Sequence, residues 1–69
     1  MSGQVYKKIE ITGTSPKSIE DAVENAVDRA GKTVHKMRWF EVTEVRGRMD
    51  DNKVAEYQVT LKVGFALED

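Results

Sequence analysis

Glu56-Tyr57-Gln58-Val59-Thr60-Leu61-Lys62-Val63-Gly64-Phe65 is the stretch that decides how this 69-residue chain folds. Its odd positions, continuing to Leu67, are all apolar, while the even ones are Glu, Gln, Thr, Lys and Gly. A period of two marks a strand that buries one face. The core therefore lies on the side of Tyr57, Val59, Leu61, Val63, Phe65 and Leu67. This strand is predicted from about Val54 to Leu67, and Asp50-Asp51-Asn52-Lys53 before it reads as a turn, since Asp and Asn tolerate left-handed backbone. A second strand, from about Lys36 to Arg48, completes a long hairpin.

The second strand is less regular. Its apolar residues are even at Phe40 and Val42 but odd at Val45 and Met49, so the phase slips once. One extra residue in a bulge between Thr43 and Gly47 restores it and bends the strand. Beyond the bulge, Arg46 and Arg48 face the same way as Trp39. Because Phe40 and Val42 share the core with Tyr57 and Val59, Trp39 also shares its outer face with Gln58. The alternation thus gathers an indole, an amide and a guanidinium on one side of the sheet.

Upstream, Val5 to Thr12 places Val5, Ile9 and Ile11 on one side and Tyr6, Lys8, Glu10 and Thr12 on the other, with Lys7 the exception. This is a first strand. Gly13-Thr14-Ser15-Pro16 then breaks it and opens a helix, with Ser15 as the N-cap and Pro16 at the first helical position. Apolar residues at Ile19, Ala22, Val23, Ala26, Val27 and Ala30 form one helical stripe. The helix ends at Gly31 or runs on to Val34. The expected fold class is α+β, in the order β-α-β-β, with residues 1–69 as a single domain.

Eleven Lys and Arg stand against twelve Asp and Glu, so no net field favours nucleic acid or an anionic membrane. No apolar run approaches the ~20 residues of a transmembrane helix. The start, Met1-Ser2-Gly3-Gln4, lacks the basic and apolar parts of a signal peptide, which points to the cytoplasm. There is no cysteine and only one histidine, His35, so neither disulfides nor a thiolate or imidazole metal centre is expected. A chain this short hides only about 60% of its unfolded surface. Without staples, association with further copies of itself is the expected remedy.

Each outer-face residue has an ordinary reading. Trp39 seals a subunit contact, Gln58 is solvated, and Arg46 and Arg48 pair loosely with Glu41 or Glu44. His35 serves the last helical carbonyls. Met37 and Met49 fill space.

A family resemblance adds a sharper reading. Val5-Tyr6-Lys7-Lys8-Ile9-Glu10, Thr12-Gly13-Thr14-Ser15, Asp28-Arg29-Ala30, Arg38-Trp39-Phe40-Glu41-Val42, Glu44-Val45-Arg46-Gly47 and the stretch from Glu56 to Phe65 together resemble a dodecin, in order and over nearly the whole chain. Dodecins are flavoproteins whose three-stranded antiparallel sheet partly wraps one helix, twelve subunits forming a hollow shell. The resemblance implies that paired flavins stack between symmetry-related copies of Trp39. It also implies that Gln58 bonds the flavin's pyrimidine edge and that Arg46 holds its phosphate or ring edge. Phe40 resembles the bacterial branch, which favours FMN; riboflavin and FAD are the alternatives. Some bacterial relatives also bind coenzyme A, for which Tyr6, Arg29, Lys32 and His35 are the candidates here. Ala66 departs from the arginine of many relatives, and Met49 from a branched aliphatic. The implied role is non-catalytic: storage and buffering of FMN, and photoprotection by quenching in the stack. The rival readings are a flavin-dependent oxidoreductase and a structural oligomer without flavin.

Overall fold

The structure, a computed structural model, describes residues 3–67. Met1 and Ser2 of the start segment lie outside the described residues, as do Glu68 and Asp69. Four elements follow in order: β1 (Tyr6–Ser15), α1 (Ile19–Ala30), β2 (Met37–Asp50) and β3 (Lys53–Ala66). They form one antiparallel sheet in the order β1-β3-β2, with α1 laid on one face, as expected. No helix among the described residues is long and apolar enough to cross a membrane.

The hairpin turn is tighter than the four residues expected. Asp50 and Lys53 already pair, leaving only Asp51 and Asn52 as the loop, with φ of 53° and 60°. Positive φ at both central positions gives a turn whose twist matches that of the strands it joins, and Asp and Asn adopt it at little cost. The bulge falls at Thr43, the first position of the interval expected for it: Val42 pairs with Leu61 and Glu44 with the adjacent Thr60. The Thr43 hydroxyl donates to the Thr60 carbonyl at 3.2 Å, so the irregular step still has a side-chain bond.

Two further register shifts went unread in the pattern. One lies between Arg48 and Met49, where the extra residue is Ala55 on β3. The other lies between Met37 and Trp39. That second shift has a large effect, because regular alternation would have put both side chains on one face. Instead Met37, opposite Phe65, packs against the core, while Trp39, opposite Gly64, lies on the outer side.

The start of the helix corrects the sequence reading. Its N-cap is Ser18, not Ser15, and Pro16 lies in the connection rather than inside α1. Ser18 has extended backbone and its hydroxyl accepts from the Asp21 N–H at 3.0 Å. Ser15 is instead the last residue of β1 and is buried; it donates to Asp21 Oδ2 at 2.6 Å and accepts from the Lys17 N–H at 2.9 Å. The strand continues past Thr12 because Gly13 is a packing residue, not a breaker. A Cβ there would run into the Ala22 carbonyl oxygen, so only glycine lets α1 sit this close to β1. At the other end the helix stops at Ala30, the earlier of the two ends left open.

The core joins Ala22 and Ala26 of α1 to Val59, Leu61 and Val63 of β3, flanked by Ile9, Ile11, Val23, Val27 and Met37. Twelve helical residues span about 18 Å, whereas fourteen residues of strand span about 46 Å. The helix therefore covers β1 and the near part of β3 and leaves most of β2 bare. Phe40, Val42, Val45, Met49 and Val54 point to the core side yet stay about half exposed. The molecule measures 57 × 20 × 13 Å, and its radius of gyration of 14.4 Å exceeds the about 11 Å of a compact chain this long.

Candidate functional site

Trp39 is set on the outer face by the register shift beside Arg38, and its cross-strand neighbour is Gly64. That glycine decides the pose of the ring. A Cβ at position 64 would overlap the six-membered ring of the indole, at Cζ2 and Cε2, so the indole lies directly on the β3 backbone. Packing one face of the ring on a strand leaves the opposite face to solvent, and Trp39 is 39% exposed. Tyr6 of β1, paired with Ala66, stands at one flank with its ring centroid 5.1 Å from the indole and its plane turned by 70°. This is the edge-to-face arrangement that aromatic quadrupoles favour.

On the other flank lies an ion pair. Lys8 of β1 reaches across β3 to Glu41 of β2, Nζ to Oε1 at 3.0 Å. The Lys8 ammonium, through that hydrogen bond and its charge, holds the Glu41 carboxyl below its ordinary value of 4.5. Desolvation opposes this, and the nearby charge of Lys62 adds a lesser lowering effect.

Gln58 and Arg46 pair directly across β3 and β2, on the outer face expected for them. They are nevertheless not beside the indole. Six residues of β3 separate Gln58 from Gly64, which at the rise of a strand is about 20 Å. Gln58 also turns toward the hairpin tip: its Nε2 donates to Glu56 Oε2 at 3.0 Å, and the same oxygen receives Arg48 Nε at 3.5 Å. Arg46 makes no hydrogen bond or ion pair among the described residues.

The four residues grouped for coenzyme A separate as well. Arg29 and Lys32 line one open cleft of about 590 Å³ between the end of α1 and β1, floored by Ile9, Ile11 and Ala26. Tyr6 is on the far side of the sheet against Trp39, and His35 lies exposed in the connection from α1 to β2, outside that cleft lining. Among the described residues no group of three or more His, Cys, Asp or Glu could hold a metal ion.

Sequence reading missed Gly64, Tyr6, Lys8 and Glu41 as the surroundings of the indole. Gly64 alone left a signal, being the one residue without a side chain inside the alternating stretch from Glu56 to Phe65. A glycine within a strand marks a place where something else approaches the backbone closely.

The family model for Dodecin matches residues 5–68. Among curated proteins, a dodecin of Thermus thermophilus is 51% identical over 67 residues, covering 97% of either chain. A solved dodecin of Streptomyces coelicolor superposes with a TM-score of 0.95 at 52% identity, covering 100% of this chain and 99% of that one. A dodecin from Streptomyces davaonensis gives 0.94 at 46% identity, covering 99% of this chain and 100% of that one.

Proposed function

The chain belongs to the dodecin family, and from that premise we propose that it is a non-catalytic protein that binds FMN, storing and buffering the flavin and protecting a cytoplasmic host from its photoexcited state. The observation that carries this reading is the pose of Trp39, laid flat on Gly64 with its other face open. An electron-rich indole held in that way offers a polarisable plane to the electron-poor isoalloxazine ring, and offset stacking adds about 1 kcal/mol beyond the burial of area. The same indole supplies an electron to the excited flavin, which quenches it.

The distance between Trp39 and Gln58 supports assembly as part of the mechanism. About 20 Å of strand separates them, more than the three fused rings of a flavin can bridge. A ring stacked on one subunit's Trp39 meets a Gln58 amide only if a neighbouring copy provides it. With one acceptor and two donors, that amide suits the alternating carbonyl and N–H groups of the pyrimidine edge. Arg46 beside it has no partner among the described residues and suits a phosphate, which a guanidinium holds through two parallel bonds. A dodecameric shell would also cover the apolar half of the inner face around Phe40, Val42 and Val45, a patch that a lone subunit leaves wet. The cleft beside Arg29 and Lys32 suits the phosphates of coenzyme A as a second, separate ligand.

The test is a fluorescence titration of FMN with the assembled protein. Most of the flavin emission should disappear at saturation, and Trp39→Ala should restore it. Full emission in the presence of excess wild-type protein ends the flavin reading.

A further inference from the structure

Trp39 and Tyr6 start from opposite edges of the sheet, β2 and β1, and meet above β3. The floor between them consists of two successive outward positions of β3, Gly64 opposite Trp39 and Ala66 opposite Tyr6. Directly opposed residues send their side chains to the same face, so the Ala66 methyl lies beside Tyr6 on the outer side. Ala66 is only 6% exposed, so groups on that face cover it. Gly64 has no side chain at all. The smallness of both positions lets two rings from non-adjacent strands come to a centroid distance of 5.1 Å, with their planes at 70°. Tyr6 stays 45% exposed, and its hydroxyl makes no hydrogen bond among the described residues. Its hold on the indole is therefore exerted by the ring.

We infer that Tyr6 is a positioning residue for Trp39: its ring is the lateral stop that keeps the indole in one rotamer, flat on Gly64, before a planar ligand arrives. The inference rests on the flavin reading for its ligand but not for its geometry. The space over Gly64 sets how near the indole lies to β3. It does not set how the side chain turns about its own torsions, which have several staggered settings. An edge-to-face partner favours one of them, because the positive edge of one ring and the negative face of the other attract only in that orientation. An indole without that partner would have to be ordered by the ligand, and the ordering of one side chain weakens binding by about fivefold.

Trp39 is the only tryptophan, so fluorescence excited at the red edge of the indole band, where tyrosine is silent, reports on this ring. The experiment compares the assembled wild type with Tyr6→Phe, Tyr6→Leu and Ala66→Leu, recording time-resolved anisotropy without ligand and FMN affinity by quenching. In the wild type the indole should turn only with the whole particle. Tyr6→Leu should add fast local motion and weaken FMN by about fivefold. Tyr6→Phe, which keeps the ring, should match the wild type in both. Ala66→Leu should reproduce the Tyr6→Leu result with the tyrosine still present, because the longer side chain rises between the two rings. A rigid indole in Tyr6→Leu, or fast motion there beside unchanged FMN affinity, overturns the inference, as does a Tyr6→Phe variant as weak as Tyr6→Leu. If Tyr6→Leu fails to assemble, Ala66→Leu carries the same comparison. Should the wild type itself not quench FMN, the flavin reading falls, and the anisotropy alone still decides whether Tyr6 orders the ring.

Discussion

The indole of Trp39 occupies the volume that any side chain at Gly64 would need. This cross-strand pair converts an exposed tryptophan into a flat, backed surface, and the absence of a Cβ on β3 is what makes it so. Substituting Gly64→Ala would place a methyl group inside the ring, and the indole would have to swing off the sheet. FMN affinity should drop by at least about tenfold, equivalent to ~1.4 kcal/mol, with the hairpin intact by far-ultraviolet circular dichroism. Wild-type quenching by the alanine variant would show that the flat pose is not needed.

Trp39 and Gln58 stand too far apart in one chain to share a flavin, so their loss should be complemented between chains. Trp39→Ala and Gln58→Leu subunits, each weak alone, should regain part of the FMN binding when refolded together, because some neighbouring pairs then carry one intact residue of each kind. Affinity in the mixture no better than the average of the two separate variants would place both residues in one subunit's site.

The half-exposed row of Phe40, Val42 and Val45 should hold the assembly together. A charge buried at a subunit contact without a partner is strongly disfavoured. Val45→Asp should therefore shift the native mass toward single subunits at micromolar concentration. A variant that keeps the wild-type mass would locate the contact elsewhere.

Glu41 gives an acid-side dependence whose sign follows from its lowered pKa. The folded chain binds this proton less tightly than the unfolded one, so the Lys8 pair contributes stability above the ordinary carboxyl value of 4.5 and loses it as pH falls through the lower folded value. Thermal melts of wild type and Glu41→Gln should differ at neutral pH and converge on acidification. A gap that stays constant down to about pH 2, below the range in which Glu ordinarily titrates, would mean that the pair makes no titratable contribution.

Gly13→Ala should destabilise the subunit by about 1–3 kcal/mol or more, the usual cost of overpacking, since the new methyl meets a backbone carbonyl of α1 that cannot move alone. Denaturant unfolding measures this. An unaltered midpoint would show that the helix can shift without cost.

Strand and helix positions were legible because alternation at period two and the three-four stripe are local properties of the chain. The row from Tyr57 to Leu67 named the core face, and the phase slip between Val42 and Val45 announced a bulge that the structure puts at Thr43. The helix start was misread for an equally local reason: Ser15-Pro16 and Ser18 both satisfy capping chemistry, and only the contact between Gly13 and Ala22 shows why the strand outlasts the first serine. The shared outer face of Trp39, Arg46 and Gln58 was likewise readable from parity. Their separation was not, because parity says which side a residue takes and nothing about how far along the sheet it lies. The chain's own order thus determined which residues turn outward. Register between strands, a sum of bonds between segments distant in sequence, decided that Trp39 rests on Gly64, that Lys8 reaches Glu41, and that Gln58 lies about 20 Å away.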